Sequence, residues 1–154
     1  MEIELLERQS SELRKDIVEV CYHSKAGHVG GSLSAIDILN VLYFNELRID
    51  PNNPKMENRD RFILSKGHIA EALYVTLAKR GFFAYSELDN FSGYNTKYIG
   101  HPNNKVAGVE MNTGALGHGL AIGVGLAIAA KKMGQDYRTY VLMGDGELAE
   151  GSIW

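Results

Sequence analysis

Apolar positions near the start of the chain recur three and four residues apart: Leu5, Leu6, Leu13, Ile17, Val20 and Cys21. That spacing predicts a helix over residues 4–24. The run Ala26-Gly27-His28-Val29-Gly30-Gly31 then breaks the periodicity, and its glycines let the backbone approach a neighbour closely. Ser34, with Asp37 three residues on, reads as the start of a second helix. Ile36, Leu39, Val41, Leu42 and Phe44 bury it as far as Asn45. Residues 61–65 form a short apolar strand that turns through Lys66-Gly67-His68 into a helix over 69–80, with Gly81 as its stop. Ser86 caps a short helix to Phe91, and residues 106–111 read as extended. A helix rich in Gly and Ala covers 117–133, and Gly134 ends it. Residues 138–143 are the clearest strand, running into Gly144-Asp145-Gly146, with a new helix starting near Glu147. The stretches 50–60 and 93–105, rich in Asn and Pro, read as loops within one domain.

Helices alternating with short apolar strands predict an α/β fold, a mostly parallel sheet with helices on both faces. Ligands of such sheets bind outside the carboxyl ends of the strands. His68 and Asp145 both follow strands closely, so they belong at one edge.

Composition narrows the function classes. With 154 residues, 45% hydrophobic and 23% charged, the chain is long enough to bury a core and is not of disordered type. A net charge of −3, from 16 Lys+Arg against 19 Asp+Glu, leaves no basic footprint for nucleic acid. One cysteine, Cys21, excludes a disulfide framework or Cys-based zinc site within the chain and suits a reducing cytoplasm. Residues 1–20 are charged throughout and do not read as a signal peptide, and the most apolar stretch, 120–130, is too short to span a bilayer.

Candidate chemistry sits in the glycine turns. An aspartate leaving a strand, as in Gly144-Asp145-Gly146, suits a hard cation that also takes phosphate oxygens. Alone, the motif reads first as a tight turn with Asp145 capping the next helix. Thr113-Gly114-Ala115-Leu116-Gly117-His118-Gly119 opens a helix of small residues, which serve close packing while the loop approaches a phosphate. Neither the dinucleotide Gly-x-Gly-x-x-Gly nor a Walker-type loop is present. Four of the five histidines, His28, His68, His101 and His118, adjoin a glycine, and imidazole shuttles protons near neutrality. No histidine spacing argues for zinc. His23 reads as solvated or packed, His118 stays open, and Arg59-Asp60-Arg61 reads as surface ion pairs. Glu147 and Glu150 read as partners of a helix N-terminus, and the tyrosines of 94–98 as a loop that could border a site.

Five segments in order resemble the N-terminal, diphosphate-binding domain of transketolase. They are residues 25–32 (Lys-Ala-Gly-His-Val-Gly-Gly-Ser), 60–68 (Asp-Arg-Phe-Ile-Leu-Ser-Lys-Gly-His), 100–102 (Gly-His-Pro), 113–119, and 144–151 (Gly-Asp-Gly-Glu-Leu-Ala-Glu-Gly). The Leu-Ser-x-Gly-His form resembles transketolase more than the related deoxyxylulose-phosphate synthase. The short lead-in resembles enzymes split into two polypeptides.

The resemblance implies an incomplete thiamine-diphosphate-binding fold over residues 1–154, the N-terminal part of that domain, with an unpaired sheet edge. It implies transfer of a two-carbon ketol unit from a ketose phosphate to an aldose phosphate, within the pentose phosphate pathway and the cytoplasm. It implies thiamine diphosphate with Mg²⁺ or Ca²⁺ as cofactors. Asp145 would be the metal ligand, and His68, Gly114, Leu116, Asp145, Gly146 and Glu150 would meet the cofactor. His28, His68 and His101 would be catalytic, binding the donor's hydroxyl and carbonyl oxygens and moving protons. Glu150 would also be the interface glutamate. Implied partners are sugar phosphates, the C-terminal polypeptide of a split transketolase, and a homodimer or heterotetramer; nucleic acid and membrane are not among them. Val29 stands where many members have proline and His118 where many have glutamine. The family's downstream asparagine, a second metal ligand, and its pyrimidine-binding domain would lie beyond Trp154, making activity depend on the missing part. The competing expectations are a non-catalytic binding or assembly module and an unrelated phosphosugar- or nucleotide-binding α/β domain.

Overall fold

Three helices form the core, and a two-stranded sheet leans on it. The computed structural model describes residues 2–154. Helix α1 spans Ile3–Ser24, α2 Val29–Val41 and α3 Ala70–Arg80. Leu13 and Ile17 of α1 meet Ile36 and Leu39 of α2 and Leu73 and Leu77 of α3 in one buried cluster. Asn40 stitches α1 to α2 by donating to the Leu6 carbonyl at 2.8 Å and Ser10 Oγ at 2.9 Å.

Strands β1 (Arg61–Leu64) and β2 (Thr139–Leu142) pair in parallel, with Phe62 opposite Tyr140 and Leu64 opposite Leu142. Those four side chains face the helical core. Helix α4, His118–Lys132, packs on both strands and brings Gly123 against Val141. A Cβ at Gly123 would collide with the Val141 side chain, so the small-residue stripe does serve close packing. Among the described residues each strand has a single partner, so both strands keep an unpaired edge. The parallel α/β arrangement with helices on both faces is therefore as expected.

Local structure departs from the sequence-based expectation at five places. Helix α2 starts at Val29, five residues before Ser34, and takes in Gly30 and Gly31. Ser34 is not a cap; its hydroxyl donates back to the Gly31 carbonyl at 2.8 Å. Residues Leu42–Glu46 widen into a π turn instead of ending the helix cleanly. Residues 106–111 form no strand, because Gly108 takes φ +88° and tucks against Leu77 and Phe82. The turns after Ala84 and after Asp145 are short 3-10 segments, Tyr85–Asn90 and Gly146–Ala149, without side-chain caps.

Asp60 is also not a surface ion-pair residue. It is buried, and its carboxylate accepts from the backbone N–H of Arg48 at 2.8 Å and of Arg138 at 2.7 Å. It thus locks the entry of both strands, while Arg59 pairs with Glu110 instead. We expect Asp60→Ala to lower stability by about 1–3 kcal/mol, because two inward-facing N–H groups lose their acceptor. The shift of a urea unfolding midpoint at unchanged slope measures it. No helix among the described residues is long and apolar enough to cross a membrane.

Candidate functional site

The N-terminal end of α3 acts as a ruler for three histidines. His68 lies in the 3-10 turn Gly67–Ile69 that carries β1 into α3. Three residues on, the fully buried Glu71 accepts the His28 backbone N–H at 2.6 Å and the Ser32 hydroxyl at 2.7 Å through one oxygen. Three further on, the Tyr74 hydroxyl donates to the His101 carbonyl at 2.8 Å. Positions i, i+3 and i+6 fall on successive turns of one rigid segment, which carries His68 and grips the backbone of His28 and of His101. The His28 and His68 rings stand edge to face, 5.2 Å between centroids.

The glycine loop closes over the same spot. A Cβ at Gly67 would sit 2.8 Å from the Thr113 carbonyl carbon and 2.9 Å from the Gly114 nitrogen. A Cβ at Gly114, where φ is +154°, would sit 2.8 Å from His101 Cδ2. Only glycine permits these approaches. A cleft of about 210 Å³ opens between residues 112–115 and His118, Gly119 and Ile122 of α4. His28 and His101 are exposed and His68 is half-buried. Burial, reinforced by the neighbouring charges of His28, Lys66 and His101 and opposed by Glu71, holds the His68 imidazole below its ordinary pKa.

The end of β2 supplies the second half of the rim. Lys66, one of the charges acting on His68, runs beside Gly144, where a Cβ would lie 3.5 Å from its Cδ. Asp145 is exposed at the start of the 3-10 turn, and its carboxylate makes no capping bond. The helix-cap reading of Gly-Asp-Gly is thereby corrected. Gly146 is open, with no atom within 4 Å of a would-be Cβ. Leu116 is half-buried just before Gly117, and Glu150 is exposed with its Cβ 3.0 Å from a would-be Cβ at Gly117.

Glu147 is not a solvated acid at the start of its own short turn. It is buried and gathers three stretches of chain: its carboxylate accepts from Ser65 Oγ, from Gly117 N–H at 2.8 Å and from Gly144 N–H at 3.0 Å. Ser65 Oγ in turn accepts from Gly119 N–H at 3.1 Å. Two amides at the mouth of α4, those of Gly117 and Gly119, are therefore committed to protein acceptors. The anchors Glu71, Tyr74 and Glu147 were missed by sequence reasoning. For Glu71 a signal existed: it is the one charge in the buried run 69–78. His23 pairs loosely with Glu19 on the exposed side of α1, Tyr94 is exposed, and Tyr98 is buried against Tyr74 and Phe83.

Comparison with known proteins converges on one group. The family model described as transketolase, thiamine diphosphate binding domain, matches residues 7–153. One of the subunits of the apulose-4-phosphate transketolase of Phocaeicola vulgatus is 53% identical over 154 residues, all of this chain and 55% of that protein. Human transketolase is 38% identical over 153 residues, 99% of this chain and 25% of that one. The crystal structure of transketolase from Campylobacter jejuni superimposes with a TM-score of 0.91 at 38% identity, over 98% of this chain and 25% of that one. The chain thus spans about half the length of the Phocaeicola relative and a quarter of the longer enzymes.

Proposed function

The chain belongs to the transketolase family, in its thiamine-diphosphate-binding domain, and on that premise we propose that it is the N-terminal, cofactor-binding part of a split transketolase. The activity is transfer of a two-carbon ketol unit from a ketose phosphate to an aldose phosphate (EC 2.2.1.1), and the partner is a C-terminal transketolase polypeptide. The observation that carries the reading is the gathering of His28, His68 and His101 against Gly114, on the strand edge that also presents Asp145.

The residues fit the cofactor and its cation. Asp145 offers an exposed carboxylate not spent on a cap, beside the open space at Gly146. Among the described residues no group of three or more His, Cys, Asp or Glu gathers around it. That donor set suits Mg²⁺ or Ca²⁺, hard ions that complete their shells with phosphate oxygens and water, and not a soft metal needing an all-protein cage. Gly114, Leu116, Gly146 and His68 would border the cofactor, and Glu150 would lie toward the partner polypeptide. When bound, thiamine diphosphate supplies a nucleophilic carbon and an electron sink that no side chain of this chain provides. The chain's own part is to orient and to move protons. His68, held neutral at pH 7, accepts a proton at one ring nitrogen while donating from the other. His28 and His101 flank it and hydrogen-bond the hydroxyl and carbonyl oxygens of the sugar.

The test reconstitutes the chain with the C-terminal polypeptide of a split transketolase, thiamine diphosphate and Mg²⁺. Apulose-4-phosphate, named for the 53%-identical relative, is the first donor to try. Ketol transfer is expected only with both polypeptides present, and Asp145→Ala is expected to abolish Mg²⁺-dependent cofactor binding in calorimetry. No transfer from any ketose phosphate, with cofactor binding indifferent to Asp145, would overturn the reading and favour an assembly module.

A further inference from the structure

Resting on the assignment of His28 and His68 to the reaction site, we infer that Glu71 is a positioning residue whose buried carboxylate fixes the backbone of His28 and so keeps its imidazole against His68. The His28 ring itself makes no hydrogen bond among the described residues, so its place is set through the main chain. The main chain there hangs on one oxygen of Glu71, which takes the His28 N–H at 2.6 Å and the Ser32 hydroxyl at 2.7 Å. The loop is wound tightly over this carboxylate. Gly27 adopts φ +120°, and a Cβ there would lie 2.6 Å from Cys21 Sγ and 3.1 Å from Glu71 Oε1. The other carboxylate oxygen, Oε2, is buried with no hydrogen-bond partner. An acid kept fully buried with half its acceptors idle is costly by itself, which argues for a role beyond filling space. Placement explains it. Glu71 sits one helical turn after His68, so a single rigid segment carries one imidazole and grips the backbone of the next.

Glu71 also adds charge to the pair. The groups facing His68 are His28, Lys66 and His101, which disfavour its protonated form, and Glu71, which favours it. Geometry and charge can therefore be separated by substitution. Glu71→Gln keeps an oxygen for the His28 N–H and removes the charge; Glu71→Ala removes both.

The experiment is solution NMR of the full chain, with no cofactor needed. In the wild type, a scalar coupling from the His28 amide to the Glu71 carboxyl carbon and a ring-to-ring nuclear Overhauser effect between His28 and His68 are expected. Glu71→Gln should keep the ring contact while the His68 titration midpoint moves to lower pH. Glu71→Ala should lose the ring contact while the remaining amide spectrum is retained. A purely structural role would lower the melting temperature in both variants and leave the ring contact in place; that result overturns the inference. If Glu71→Ala does not fold, the wild-type coupling and the Gln variant decide: an absent coupling, or an unmoved His68 midpoint, overturns it. Failure of ketol transfer would sink the functional reading without touching these signals, so the two can fail separately.

Discussion

Replacing Glu147 with alanine is expected to destabilise the fold by roughly 3–5 kcal/mol, because three hydrogen-bond donors lose one shared acceptor. The N–H groups of Gly117 and Gly144 and the hydroxyl of Ser65 all point at this carboxylate, which is 3% exposed. Each buried donor left unpaired costs about 1–3 kcal/mol, and the three share one network, so their costs do not simply add. Against a total stability of about 5–15 kcal/mol for a domain of this kind, that is a large fraction. Glu147→Gln is expected to cost about 1–3 kcal/mol, since one oxygen survives but the amide NH₂ must face another donor. Urea unfolding followed by circular dichroism gives both values. The local consequence is larger still. Gly144 adjoins Asp145, so freeing its N–H loosens the turn that presents the proposed cation ligand, and cofactor affinity should fall in the Gln variant while the fold persists. A loss under about 1 kcal/mol in the Ala variant would show that the three donors find other acceptors.

Spacing along the chain was enough for elements whose information is local. The three- and four-residue rhythm of Leu13, Ile17 and Val20 places α1 at Ile3–Ser24, and the apolar runs at 61–65 and 138–143 become the parallel pair. Glycine turns pointed to the histidines, and the structure brings His28, His68 and His101 to one place. The rest depends on long-range contacts. Asp60 and Glu147 look like solvated acids in their local context, and the apolar run around Glu71 shows its burial but not its partners; their acceptor roles connect residues 78, 82 and 39 positions apart. No local rule distinguishes an acid that faces water from one that ties together three loops. The start of α2 failed for a different reason. Gly30 and Gly31 look like helix breakers, but a Cβ at Gly31 would sit 2.9 Å from Ile69 Cγ2, so that glycine allows close packing within a helix and not an unusual turn. Glycine supports both uses, and only the neighbour decides between them.

His68→Ala is expected to lower kcat/KM for ketol transfer by roughly 10²–10⁴-fold in the reconstituted enzyme, the usual contribution of a positioned acid–base group. His23→Ala, on the exposed side of α1, should leave it unchanged. The pH profile gives the sharper check. Burial, with the charges of His28, Lys66 and His101, lowers the His68 pKa below its ordinary 6.5, so the imidazole is neutral at pH 7. A neutral imidazole is the form that accepts a proton. The acid limb of kcat/KM should therefore lie below pH 6.5, with activity lost as pH falls through it. His28→Ala removes one of the groups that oppose protonation of His68 and part of the covering, and both changes let the His68 pKa rise. Its acid limb should move to higher pH, on top of the loss of a proposed sugar-binding group. An acid limb at the same pH in wild type and His28→Ala would mean that the limb does not report His68, and the proton transfer would then have to be assigned to another group on the rim.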